Sequence, residues 1–193
     1  ATCLAIDSNG TFFVGMGDHI EIYDATGALT HTWVAPTTNA ILTSIAVHDG
    51  DVYVADADGH VVLRYDATGA VQQAIGRKDA ARGIPGFVIP SPYFDVAIAT
   101  NGSVWVVNPG MHQLENYTRN GDLITSWQRI GTGVDGFSGC CNPSHFALMA
   151  NGTFVTTVAP GMPATPVPDG TDERLRFRER TLYASARQLL GQY

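Results

Sequence analysis

The chain has 193 residues, of which 45% are apolar and only 15% charged, with 21 glycines and a formal net charge of −7. That length suffices for one domain with its own core, and the acidic balance excludes the clustered Lys and Arg that hold a nucleic-acid backbone. No apolar run approaches the ~18 residues of a membrane-crossing helix, so no membrane span is expected.

From its N-terminus the chain repeats itself. Residues 5–29 read AIDSNGTFFVGMGDHIEIYDATGAL, residues 46–71 AVHDGDVYVADADGHVVLRYDATGAV, and residues 97–123 AIATNGSVWVVNPGMHQLENYTRNGDL. A further copy opens at 147 with ALMANGTFVTTV. Gly10, Gly50, Gly102 and Gly152 align, as do Tyr23, Tyr65 and Tyr117, and then Gly27, Gly69 and Gly121. In each copy a short apolar strand turns at Asn-Gly or Asp-Gly into a second strand rich in β-branched and aromatic residues. A loop leads to a third, alternating strand, and an x-x-Gly turn opens a fourth. Four antiparallel strands in a repeating unit of this size are the pattern of a propeller blade. The fold class expected is therefore all-β, a β-propeller with three complete four-stranded blades, about 4–34, 44–76 and 94–128, and a partial fourth at 145–158.

After Val158 the composition changes. Residues 159–170, APGMPATPVPDG, carry four prolines and read as a linker. Residues 171–193 read as an amphipathic C-terminal α-helix, with Thr171 as N-cap, Asp172 and Glu173 in the first turn, and Leu175, Leu182, Ala186 and Leu189 on one face. A helix docked over the open propeller edge is one way to cover it, and edge-to-edge pairing of two half-propellers into a homodimer is another.

The segment VYVAD-x-DGHVVLRYD, within residues 46–66, resembles the NHL-repeat family, and the likeness extends over about residues 4–157. It implies a propeller of NHL type, whose rings commonly close with about six blades. Loops between second and third strands then open beside the start of each inner strand, around the channel mouth. That mouth is expected to collect Met16, Asp56, His60, Asn108, His112 and the run from Cys140 to His145. Asp56 and Asn108 end equivalent second strands. His60 and His112 each lie five residues before the blade tyrosine, at the family's histidine position, where the implied role is largely packing and hydrogen bonding between loops.

The stretch GFSGCCNPSHFA connects the third blade's outer strand to the fourth blade's inner strand. Three readings of Cys140 and Cys141 stand open: a strained vicinal disulfide forming a rigid plate, which needs an oxidising compartment; a soft metal held with His145; or two small residues packed in a tight turn. The segment is similar to that of a subgroup of exported bacterial NHL proteins carrying Gly-Cys-Cys-Asn-Pro, which implies an extracytoplasmic setting and no established reaction. Three cysteines exclude a fully paired disulfide framework.

The function expected is a binding module, for a protein or small-molecule ligand at the mouth, through Asp56, His60, Asn108, His112, Cys140, Cys141, Asn142 and His145. No catalytic residue and no cofactor is expected, beyond the alternative metal at Cys140, Cys141 and His145. Two other classes remain. A metal-dependent propeller enzyme of amidating-lyase type would carry histidines where Thr43, Phe94 and Ser144 stand, and a lactonase would need more calcium ligands than Asp56, Asn108 and Asn142. A thiol- or copper-handling protein would use Cys140, Cys141, Met16 and His145.

Overall fold

The computed structural model describes residues 1–128, 130, 131, 137, 139, 141–149, 153–157 and 181–185. The first blade contains β1 (Cys3–Ile6), β2 (Phe12–Gly15), β3 (His19–Tyr23) and β4 (Leu29–Val34). In the second are β5 (Leu42–His48), β6 (Asp51–Asp56), β7 (Val61–Tyr65) and β8 (Val71–Ile75). The third holds β9 (Val96–Ile98), β10 (Val104–Asn108), β11 (Gln113–Tyr117) and β12 (Leu123–Gln128). A three-stranded sheet follows, with β13 (His145–Leu148), β14 (Thr153–Thr157) and β15 (Thr181–Ser185). Every sheet is an antiparallel meander in chain order. The inner strands stand side by side, β1 against β5, β5 against β9 and β9 against β13. This is the blade arrangement of a β-propeller. Among the described residues helical geometry is confined to two 3-10 turns, Ala80–Arg82 and Pro109–Met111, and no helix is long and apolar enough to cross a membrane.

The repeated Tyr-Asp-Ala-Thr-Gly has a mechanical meaning. Asp24 Oδ1 accepts from the Thr26 amide at 2.8 Å, the Thr26 hydroxyl at 2.6 Å and the Ala28 amide at 3.0 Å, which closes the β3–β4 turn. Asp66 does the same for Thr68 and Ala70 in the β7–β8 turn. Gly27 and Gly69 complete these turns at φ +83° and +85°, a region that costs side-chain-bearing residues about 1–2 kcal/mol. In all three blades the register shifts by one residue just before the blade tyrosine, so each Tyr re-enters its sheet through a bulge.

Because the side chains of a strand alternate, adjoining blades bury their facing sides against each other. Phe13, Ile20 and Ile22 of the first blade meet Val52, Val54, Leu63 and Tyr65 of the second. Trp33 stacks on Tyr65, with centroids 5.7 Å apart and planes at 19°. Gly69 permits that approach, since a Cβ there would lie 2.5 Å from Trp33 Nε1. Between the second and third blades, Tyr53, Ala55, Val62 and Ile75 meet Val96, Val104, Val106 and Tyr117. Register places Ile75 in the slot of Trp33. The ring against Tyr117 comes instead from Phe87 in the connection, edge-on at 5.7 Å. Each such aromatic pair contributes about 1 kcal/mol beyond area burial.

At the end of the sheets carrying the β5–β6 turn, Asp51 joins two blades. Its carboxylate accepts from Arg64 Nη1 at 3.1 Å within its own sheet, and from Arg119 Nε and Nη2 at 2.7 and 3.0 Å in the next. Burial opposes ionisation of Asp51, but the two guanidinium groups outweigh it and hold the carboxyl below its ordinary range.

The C-terminal reading needs correction at one place. Residues 181–185, expected in a helix, form β15, antiparallel to β14 with Thr153 opposite Ser185 and Thr157 opposite Thr181. A two-stranded β13–β14 pair leaves a row of backbone donors and acceptors on β14 unsatisfied, and a third strand satisfies them at any sequence distance. Thr181 and Tyr183 also have good strand propensity. The linker at 159–170 and the rest of the expected helix, 171–180 and 186–193, lie outside the described residues.

Candidate functional site

Antiparallel pairing fixes which groups share the channel mouth. The start of each inner strand lies beside the end of its second strand, so residues at the starts of β1, β5, β9 and β13 line one arc. Register puts Cys3, Ser44 and His145 in equivalent slots, opposite Gly15, Ala55 and Thr157, and Asp95 takes that slot one residue before Val96.

Asp95 ties three blades together. Its Oδ1 accepts from Ser44 Oγ at 2.5 Å and from the Val96 amide at 3.0 Å, and its Oδ2 accepts from the Phe146 amide at 3.0 Å. His145 Nδ1 lies 3.6 Å from the same Oδ2. The Tyr93 ring meets the imidazole edge-on at 5.9 Å. Threonines make parallel links between blades: Thr2 Oγ1 donates to the Leu42 carbonyl at 2.7 Å and Thr43 Oγ1 to that of Phe94 at 2.6 Å. The floor of the mouth is thus cross-linked, while the His145 side chain (55% exposed) and Tyr93 stand above it. In the Cys3 slot, burial pushes the thiol's pKa up and keeps it protonated near neutrality.

The residues expected at the mouth separate into two groups. Asp56 and Asn108 are fully buried and engaged with incoming backbone. Asp56 Oδ1 accepts from the Ile41 and Gly59 amides at 3.1 and 3.0 Å, and Oδ2 from Thr37 Oγ1 at 3.2 Å. Asn108 Oδ1 accepts from the Val88 amide at 2.9 Å, and Nδ2 donates to the Gly86 carbonyl at 3.2 Å and to Glu115 Oε1 at 2.8 Å. Both side chains therefore fasten the connection arriving from the preceding blade. Asn142 is buried as well.

His60, His112, Cys141 and His145 retain access to solvent. His60 and His112 sit in the left-handed region at φ +50° and +55°, each closing the loop into a third strand. His112 donates from Nε2 to the carbonyl of Gly139, and so ties Gly139 to the third blade. Cys140 lies outside the described residues, and with it the proposed thiol pair and metal set. Among the described residues no three His, Cys, Asp or Glu side chains gather as metal ligands would.

Sequence reasoning missed Ser44, Asp95 and Tyr93. Ser44 and Asp95 were visible as a polar column one place before the apolar start of each inner strand, in line with Cys3 and His145. Tyr93 lies in a non-repeating connection, and nothing in the repeat announces it.

The fold defines the class of protein: a β-propeller, its neighbouring blades latched to one another by Asp95 and by Thr2 and Thr43. No protein-family model matches the chain, and no curated protein matches it. Solved structures do. Virginiamycin B lyase from Staphylococcus aureus superposes with a TM-score of 0.55 at 15% identity, covering 86% of this chain and 56% of that one. A catalytically inactive histidine-to-alanine form of that lyase, with quinupristin, gives a TM-score of 0.52 at 13% identity, over 79% of this chain and 47% of that one. A protein of unknown function from Bacteroides caccae gives 0.54 at 15% identity, over 81% and 52%. These likenesses establish the propeller fold, and the chain spans about half the length of the structures it matches.

Proposed function

We propose that the chain is an NHL-repeat propeller of an extracytoplasmic setting that binds a protein or small-molecule ligand at its channel mouth, through His60, His112, Cys141 and His145 with Tyr93. Asp56, Asn108 and Asn142 shape the mouth from beneath. The observation that carries this reading is the contrast between the cross-linked floor, centred on Asp95, and the exposed imidazole–phenol pair above it. Rigid support beneath a few accessible polar and aromatic groups lowers the ordering cost of binding. Panning a displayed peptide library against the wild type, with Tyr93→Ala/His145→Ala for comparison, tests it. Peptides that bind the wild type at least about tenfold more tightly support the reading. Peptides indifferent to the substitutions count against it.

One observation favours a second reading, a lyase-type propeller. His145 Nδ1 stands 3.6 Å from the Asp95 carboxylate, an imidazole–carboxylate arrangement of the kind that orients a general base or acid. Fold likeness adds no residue-level support. Incubation with quinupristin, followed by chromatography, tests it directly: turnover by the wild type that is lost in His145→Ala supports lyase chemistry, and unchanged substrate sets this substrate class aside.

A further inference from the structure

Charge is divided unequally between the two ends of the sheets. At the end away from the mouth, Asp51 is paired by Arg64 and Arg119, and Asp122 by Arg82. Towards the mouth, Asp56, Asp95 and Glu115 accept hydrogen bonds from neutral donors. Backbone amides and Thr37 serve Asp56, and backbone amides and Ser44 serve Asp95. Asn108, Gln113 and Tyr117 serve Glu115. Among the described residues no Lys or Arg pairs with any of the three. Asp56 and Glu115 are fully buried and act on the mouth only through their field, whereas the Asp95 side chain keeps 16% of its surface exposed. That field reaches across the mouth: burial, reinforced by the Asp95 charge, pushes the Cys3 thiol up.

The hydrogen bonds of Asp95 leave it one acceptor position. Each carboxylate oxygen carries two lone pairs. Both on Oδ1 are taken, by Ser44 Oγ and the Val96 amide, and one on Oδ2 is taken by the Phe146 amide. His145 Nδ1, at 3.6 Å from Oδ2, stands beyond hydrogen-bond distance of the remaining one. A guanidinium binds a carboxylate best through both oxygens, whereas an ammonium is a compact point charge that needs only one. The exposed Tyr93 ring, edge-on to the His145 imidazole, adds a π face of the kind that attracts cations.

We propose that the mouth takes an organic ammonium group, a lysine side chain or a small primary amine, on Asp95 Oδ2 against Tyr93, in preference to a guanidinium or a neutral group. The inference rests on the mouth being the ligand site, and it adds Asp95 to the residues that touch the ligand. A negative field without an internal counter-ion, in a site shielded from bulk water, favours a cation over a neutral molecule of the same shape.

Titration of the 193-residue chain with Nα-acetyl-lysine methylamide, its arginine and norleucine counterparts and n-pentylamine, followed by ligand-observed NMR, tests this. The lysine compound is expected to bind about fivefold more tightly than the arginine one and about tenfold more tightly than the norleucine one. Either result with n-pentylamine supports the ammonium site: binding equal to that of the lysine compound points to free amines, and weaker binding to lysine carried on a peptide. Asp95→Asn should abolish the preference for lysine over norleucine. Because that change also disturbs the latch, Tyr93→Leu provides a variant that leaves the floor intact, and it should weaken the lysine compound about threefold more than the norleucine one. Equal affinities for lysine and norleucine, an arginine compound bound as tightly as the lysine one, no binding of the lysine compound, or binding indifferent to both substitutions overturns the proposal. Panned peptides that need Tyr93 and His145 but no lysine overturn it too, while leaving the mouth as a binding site.

Discussion

Asn108 and Asp56 end their second strands at the same register position, opposite Gln113 and Val61, yet one is an amide and the other a carboxylate. The neighbouring slot explains the difference: Glu115 in the third blade, Leu63 in the second. A buried carboxylate needs a donor, and Asn108 Nδ2 supplies one. Asn108→Asp would place two carboxylates in contact and remove the bond to Gly86, at an expected cost of about 3 kcal/mol by urea unfolding. Lowering the pH into the carboxylate range should recover part of that loss as one of the pair takes up a proton. For His60, the left-handed backbone makes a separate prediction. His60→Asn should leave stability within about 0.5 kcal/mol, and His60→Val should cost about 1–2 kcal/mol, because a β-branched side chain tolerates φ +50° poorly. If His60 also contacts ligand, both variants lose affinity, and the two roles separate.

Turns between third and fourth strands offer an internally controlled experiment at the level of the element. Gly27 and Gly69 share the Asp-x-Thr-Gly motif and nearly the same φ, +83° and +85°. A Cβ on Gly27 would meet nothing within 4 Å, whereas one on Gly69 would lie 2.5–2.7 Å from the Trp33 indole. Gly27→Ala therefore reports the backbone cost alone, about 1 kcal/mol, and Gly69→Ala should cost roughly 1 kcal/mol more through loss of the Trp33–Tyr65 stack. Equal losses in the two variants, measured by chemical unfolding, would mean that the indole shifts without penalty. The register shift before each blade tyrosine belongs to the same element, and it brings Tyr65 beneath Trp33.

Across the molecule, cohesion depends on contacts between sheets, and Asp51 carries an ion pair from one sheet to the next. Its folded-state pKa is depressed by Arg119 and Arg64 against the pull of burial. Its contribution is therefore present in full above the unfolded aspartate value, near 4, and is lost as pH falls through the lower folded value. Asp51→Asn should cost roughly 2 kcal/mol at neutral pH, and should lose that part of the wild type's acid-induced destabilisation. Parallel pH–stability curves for wild type and variant would show that the cross-blade link contributes nothing to cohesion. At the opposite end, Asp95 performs the corresponding task for the inner strands, joining three blades.

The repeat alone determined the number, order and antiparallel pairing of strands in the first three blades, because alternation and Gly turns are local instructions carried in each of these copies. It also placed His60, His112 and the Cys141–His145 segment at one end of the sheets, since strand direction follows from the order of strands. Tertiary structure alone decided which polar residues are spent on the scaffold. Asp56 and Asn108 look like mouth groups until the connecting loops, which have no repeat, come back to occupy their hydrogen-bonding capacity. Strand β15 was illegible for a related reason: pairing along an open edge is satisfied by backbone, and a strand recruited from far along the chain needs no local signature. The latch at Asp95 draws its partners, Ser44 and Phe146, from fifty-one residues away in either direction, so that only closure of blade upon blade brings them into contact.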